Sequence, residues 1–184
     1  MFELSAGQIA VLALAAVAVF WMLGAYNRVM ALRNAIGTAW QQVDETLQRR
    51  AAAVTPLTAA LREPLAAEQG ALDALLAAQA QVQTAADAVR QRPVQDARVA
   101  ALAGAEAAMA AAASRVLALL DQHPALVSDE GVAPHVRAVR EAGQRLGFAR
   151  QLFNEASQRY DAAVQQFPTR LLARLYGFGA AGRL

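Results

Sequence analysis

The chain has no cysteine and no lysine. The first absence excludes disulfide frameworks, thiolate metal sites, thiol nucleophiles and the lipobox cysteine of a bacterial lipoprotein. The second excludes Schiff-base and P-loop lysines, because all 17 basic residues are arginine. Aromatic residues make up only 6% of the 184 positions, and there are six prolines and 11 glycines. What fills the space is alanine, at roughly a quarter of all positions. Alanine loses almost no side-chain entropy in a helix, so the composition points to an all-α fold and away from sheet. The length suits one domain with an appendage. A net charge of +2 with a sequence pI near 9.7 reflects arginine titrating far above the carboxylates. Acidic and basic residues alternate along the polar faces without a run that could follow a phosphate backbone, so nucleic acid is not an expected partner.

One long segment lacks charge altogether. From Leu4 to Asn27 there is no ionisable side chain except Tyr26, and Ile9 to Leu23 is apolar without interruption. About 20 helical residues span a bilayer core of roughly 30 Å. Ile9, Val11, Leu12, Leu14, Val17, Val19, Phe20, Trp21 and Leu23 are the expected membrane-spanning side chains. Trp21 and Tyr26 fall near one end, at the level where amphipathic rings favour headgroups, and Arg28 and Arg33 follow. Two alternatives compete, a cleaved signal peptide and a buried core helix. The first wants a basic n-region where this chain has Glu3, and the second wants a larger body to cover every face. Positive charge on the C-terminal side only predicts an N-terminus outside and a main domain in the cytoplasm. The expected division is an anchor over residues 1–25, a helical body over 26–167 and a short amphipathic tail over 168–184.

In the body, Val29, Leu32, Ile36, Trp40, Val43, Leu47, Val54, Leu57 and Leu61 recur at intervals of three and four, an a/d-like seam. No turn signal separates it from the span, so the span should continue directly into it. Pro56 and Pro64 interrupt the pattern, and a kink, break or reversal is expected there. A second seam runs through Leu65, Leu72, Leu75, Leu76, Val82 and Val89 and stops before Pro93. A third runs through Val99, Leu102, Met109, Val116, Leu119 and Leu120. Asp121 to Pro134 reads as a loop. A last long helix carries Val136, Val139, Leu146, Phe153, Tyr160, Val164 and Phe167, with Gly143 and Gly147 inside it as points of close packing. Together these predict a single N-terminal transmembrane helix continuing into an antiparallel three- or four-helix bundle with long helices. Its alanine-rich core makes a homo-oligomer an expected partner state.

Pro168 suits the first position of a new short helix whose members are Arg170, Leu171, Leu172, Arg174, Leu175 and Tyr176, with Phe178 beyond. Leu171, Leu172, Leu175 and Tyr176 are expected on one side and the two arginines on another. This segment is read either as an interfacial helix on the membrane surface or as a lid over the bundle. Chemistry-bearing motifs are scarce. His123 and His135 lie in or beside the loop with no carboxylate at metal-ligand spacing, so no metal and no cofactor is expected. Asp44-Glu45 and Asp129-Glu130 point to different faces, and no Gly-x-Ser-x-Gly, Walker or dinucleotide motif occurs, which makes an enzyme the weakest class.

Three blocks resemble the LemA family of bacterial membrane-anchored proteins. The first is Tyr26-Asn27 with Ala39-Trp40, Val43, Leu47 and Arg49-Arg50-Ala51. The second is Ser114-Arg115 through Leu119-Leu120, with Pro124 and Leu126. The third is Phe153-Asn154-Glu155-Ala156, Tyr160, Phe167-Pro168, Leu171-Leu172-Ala173 and Gly177-Phe178. The chain departs from the family pattern at Pro56, which stands one position late, at Gly143-Gln144, where an acid is usual, and at Asp161, where asparagine is usual. The resemblance implies an N-terminal span, a helical body and placement at a bacterial inner membrane, and a magnetosome-associated branch of the family implies a membrane-organising role. Arg49, Arg50, Asn154, Glu155 and Tyr160, drawn from the first and third blocks, are a candidate polar cluster joining the first and last long helices. The alternative is that each makes only surface pairs. Two functions follow. One is a noncatalytic membrane-anchored scaffold that self-assembles or recruits a membrane-protein partner. The other is a membrane-remodelling or surface-binding module whose partner is the lipid bilayer itself.

Overall fold

The first helix starts where the sequence supplies a cap. Ser5 Oγ accepts from the Gln8 N–H at 3.3 Å, and the Ser5 N–H donates to Gln8 Oε1 at 2.9 Å. This reciprocal box satisfies two donors that a helix start leaves free. In the computed structural model, which describes residues 5–184, α1 then runs unbroken from Ala6 to Leu61. The first four residues, Glu3 and Leu4 among them, lie outside the described residues, so the beginning of the expected 1–25 anchor does too. Beyond α1 come α2 (Gln69–Gln91), α3 (Asp96–Asp121), the four-residue α4 (Pro124–Val127), α5 (Ala133–Gln165) and α6 (Thr169–Leu175). The described residues are all-α and contain no strand.

The break expected at Pro56 does not occur. Proline removes the donor that would serve the carbonyl of Ala52, and Ala52 is exposed, so water can take that role. On the opposite side Val54, Leu57, Thr58 and Leu61 are buried and hold the helix in place. The chain reverses at Pro64 instead. There a 3-10 turn, Ala66–Glu68, leads into α2, and Gln69 Nε2 donates to the Arg62 carbonyl at 2.6 Å.

On α1, Val29, Ile36, Val43, Arg50 and Leu57 stand seven apart and are all buried. Trp40, Leu47, Val54 and Leu61 form a second buried row beside them. Helix α5 answers with large residues at Val139, Leu146, Phe153 and Tyr160 and with alanines at Ala142, Ala149 and Ala163, each three positions further on. The alanines let the two helices approach closely, and the large row fills the space between them. Trp40 meets Phe153 edge-on at 6.3 Å, which sets α5 running back along α1.

Helix α2 runs back along the far half of α1, with Arg90 on Asp44 at 2.7 Å near one end and Arg62 on Asp73 at 3.3 Å near the other. Helix α3 packs along α2, and their turn is closed by Arg98, which donates to the Ala88 carbonyl at 2.7 Å and to Gln91 Oε1 at 3.1 Å. All four long helices contribute to a single apolar core.

Two glycines are not where close packing happens. Gly143 and Gly147 lie on the solvent face of α5, offset from the row of Ala142, Leu146 and Ala149, and a Cβ at either would meet nothing within 4 Å. The tight approach is at Gly182, where a Cβ would sit 2.5 Å from Val99 Cβ and 2.9 Å from Asp96 Cα. Gly143→Ala and Gly147→Ala are therefore expected to stabilise the protein by about 0.5–1 kcal/mol each. Gly182→Ala is expected to destabilise it. Thermal unfolding followed by circular dichroism should show midpoints that move in opposite directions, and a rise for Gly182→Ala would contradict the packing described.

Candidate functional site

The structure leaves the first third of α1 bare. Every residue from Ser5 to Gly24 is exposed. This includes all nine apolar side chains from Ile9 to Leu23 named above, with Leu14 at 73% and Phe20 at 74%. By length and composition α1 could cross a membrane. Helix α3 passes the same test, but it buries Val99, Leu102, Met109, Val116 and Leu120 in the core. The body begins at Val29, the first buried residue. Arg28 and Arg33 flank that point, and neither has a carboxylate within 4.0 Å among the described residues.

Helix α6 packs beside this junction. Tyr26 of α1 meets Tyr176 at 5.5 Å and Phe178 at 6.2 Å between ring centroids. The four apolar residues expected on one side of α6 are divided by the fold. Leu172 is buried with Ala173, whereas Leu171, Leu175 and Tyr176 stay exposed, as does Phe167 before the helix. Arg170 and Arg174 are exposed too, and Pro168 caps the helix rather than opening its first turn. The reason is length: seven residues make two turns, and only the side facing α5 and α1 can be covered. Gly177 ends the helix at φ 68°, a left-handed conformation that glycine adopts without a Cβ penalty, and the Phe178 N–H closes back on the Ala173 carbonyl at 2.8 Å.

The residues after Phe178 lie across the body. Asp161 Oδ1 accepts the Ala181 N–H at 2.8 Å, and Arg183 lies 3.6 Å from the same carboxylate. Asn154 holds Leu184 at both backbone groups, donating to its carbonyl and accepting its N–H, each at 2.8 Å. Neither role was visible in advance, because side chains that bond to distant backbone leave no spacing signature.

The five residues proposed as a polar cluster do not assemble into one. Arg49 pairs with Glu45 at 3.5 Å on the surface. Glu155, half-exposed, accepts from Gln151 at 3.1 Å and lies 3.7 Å from Arg159. Asn154 serves the tail as described. Tyr160 is buried, and Arg50 turns the other way, toward α3. Register explains the separation. Trp40, not Arg50, lies opposite Phe153, and ten helical residues put Arg50 about 15 Å further along α1.

Arg50 instead forms a two-pronged ion pair with Glu106. Its Nη1 donates to Oε2 at 3.0 Å and its Nη2 to Oε1, with both residues buried. The periodicity did contain this signal. Arg50 stands seven from both Val43 and Leu57, and Glu106 stands between Leu102 and Met109 at seam spacing. A seam read only through its apolar members skips both. Opposite charges at buried seam positions of two helices must find each other, since either alone in the core would be strongly unfavourable.

Past the α2–α3 turn the α1–α5 pair continues by several residues, leaving a ledge. Two adjoining cavities open there. One, of about 580 Å³, is lined by Arg33, Trp40, Asp44 and Arg90 among others. The other, of about 280 Å³, is lined by Arg33, Arg92, Asp96, Tyr160 and Gly177 to Ala180. They share Arg33 and Val94. Burial raises the Tyr160 phenol above its ordinary value, and the Asp161 carboxylate adds to that while Arg33 opposes it.

The sequence profile of the LemA family matches residues 39–183. The chain belongs to the LemA family. Among curated proteins none matches it. The matched region of this LemA-family protein takes in the four long helices from Ala39 onward, α6 and the tail through Arg183. It includes the Arg50–Glu106 pair and both tail-holding residues, and leaves out the bare third of α1.

Removing one member of the buried pair is expected to be severe. Glu106→Ala should cost about 3–5 kcal/mol by denaturant unfolding, because it strands the Arg50 guanidinium in the core. In double-mutant cycles Arg50→Ala should couple strongly to Glu106→Ala and be additive with Glu155→Ala; the reverse pattern would restore the abandoned cluster. Tyr160 gives a pH test. A phenol raised in the fold contributes its full stability below the unfolded value of about 10 and loses it as pH climbs through the folded value. Tyr160→Phe is expected to flatten that alkaline decline, and an unchanged pH profile would remove Tyr160 as its source.

Proposed function

We propose that this LemA-family protein is a noncatalytic, single-pass anchored scaffold. In this reading residues 1–25 cross the bacterial inner membrane with the N-terminus outside. From Tyr26 onward α1, α2, α3 and α5 form an antiparallel four-helix bundle in the cytoplasm, which self-assembles or recruits a protein partner. The observation that carries it is the bare first third of α1, apolar without interruption from Ile9 to Leu23 and continuous with the buried seam of the body. An apolar surface of that extent favours lipid over water. Arginine on the body side alone supports the orientation. The noncatalytic part is supported by the structural use of four polar side chains: Arg50 and Glu106 hold each other in the core, and Asp161 and Asn154 hold the tail.

A second reading has a specific observation of its own. Phe167, Leu171, Leu175 and Tyr176 are exposed beside Tyr26, at the end of the body nearest the bare helix. Four apolar side chains placed there suit contact with a membrane surface.

Fractionation tests the anchor. The full chain should stay with membranes through carbonate extraction, and deletion of residues 1–25 should release it. Release of the full chain, or a mature N-terminal mass that lacks the segment, would overturn the anchored reading. Protease added outside intact cells should leave the body uncut. For the scaffold, a photo-crosslinker at Phe148, which is 64% exposed on α5, should yield a discrete adduct in native membranes. A ladder of multiples of the chain marks self-assembly, and the absence of any adduct across exposed positions of α5 counts against a scaffold.

A further inference from the structure

The ledge beside the α2–α3 turn has the chemistry of an anion site. Arg33 projects from α1 into both cavities, and Arg92 enters from the turn itself. Neither guanidinium has a carboxylate within 4.0 Å among the described residues, whereas Arg90, the third cation in the lining, is held by Asp44 at 2.7 Å and by Asp87 at 2.5 Å. Asp96 is the one carboxylate of the lining that no arginine engages, and the lining itself carries three arginines against two carboxylates. Trp40 forms part of the wall of the larger cavity, and its buried indole N–H has no partner in the chain. Two guanidiniums free of carboxylates are poorly matched to a cation and well matched to a tetrahedral oxyanion, which arginine grips with two parallel bonds.

The position along α1 adds a second argument. Arg33 stands nine residues beyond Gly24, the last residue of the bare segment, a rise of about 14 Å. Headgroups extend roughly 5–8 Å beyond the hydrocarbon edge, and helical side chains tilt toward the N-terminus, which here is toward that edge.

We propose that the crevice between α1 and the α2–α3 turn binds a phosphate group through Arg33 and Arg92, with Trp40 in the wall of the adjoining cavity that Arg33 shares. The phosphate is carried either by an anionic phospholipid headgroup or by a free phosphate compound. Only the lipid source rests on the anchored reading.

The test uses the full chain in zwitterionic detergent, carrying Trp21→Phe so that Trp40 is the only tryptophan. Inorganic phosphate, dioctanoyl phosphatidylglycerol and dioctanoyl phosphatidylcholine are titrated by calorimetry and by Trp40 emission. Saturable binding of an anion with a matching Trp40 change is expected. Arg33→Gln and Arg92→Gln should each weaken it at least fivefold, while Arg145→Gln, on a distant surface beside Glu141, leaves it unaltered. Tighter binding of phosphatidylglycerol than of inorganic phosphate assigns the site to a headgroup, and equal binding assigns it to a free phosphate. Binding equal to that of phosphatidylcholine, heat without a Trp40 response, or unchanged affinity in Arg33→Gln overturns the proposal. Arg33→Lys, which keeps charge but not the fork, should bind between wild type and Arg33→Gln, with helix content checked in every variant. The inorganic phosphate arm needs no membrane, so it reads the site even where fractionation rejects the anchor.

Discussion

The register between α1 and α5 is the constraint on which the remaining contacts depend. The alanine row of α5 sets the approach, and the facing rows of Trp40, Leu47, Phe153 and Tyr160 fill what the approach leaves. Alanine is a poor source of burial, since a buried leucine or phenylalanine contributes about 1.5–3 kcal/mol and a methyl group far less. Stability in such a body is therefore concentrated in few side chains. Once Trp40 stands against Phe153, the end of α5 must fall near Tyr26, which brings α6 onto the junction between the bare and the covered parts of α1.

A second layer of specification is electrostatic. The core could have been filled with leucine at the levels of Arg50 and Glu106, and an apolar pair of similar size is often as stable as a buried ion pair. What the charges add is exclusion of other arrangements. A slide of α3 along α1 by one turn would leave two opposite charges buried apart, whereas an all-leucine seam would tolerate it. The alanine-rich helices, with their shallow ridges, are where such slippage is least opposed by shape, so the pair sits where shape alone discriminates poorly.

The apolar period made the four long helices legible, because seam residues such as Ile36, Leu75, Met109 and Phe153 are buried in the structure at the spacing read from the chain. The bare segment is legible in another way, from an unbroken apolar run, Ile9 to Leu23, that has no polar side to turn to water. Pro56 does not break the helix because the carbonyl it abandons reaches water and the buried side around Val54 and Leu57 holds the helix in place, and both are tertiary facts. The glycines of α5 were misread even though their offset from Ala142 and Leu146 already placed them off the seam. The polar cluster failed on register, a quantity that two separated blocks of sequence do not contain. The ledge with Arg33 and Arg92 depends on how far α1 and α5 outrun the α2–α3 turn, which only the packed structure displays.

The unbroken course of α1 has a mechanical meaning. One helix of 56 residues serves both the bare segment and the seam, with no loop or glycine pair between them to act as a joint. A helix is stiff in bending and in torsion over such a distance, and each residue turns the axis by about 100°. Rotation or tilt imposed on the bare end is thus delivered whole to the seam, and through Trp40 to α5. The body is geared to its apolar end rather than tethered to it, and the heading of Arg33 and of the α6 face is set by the azimuth of a single rod.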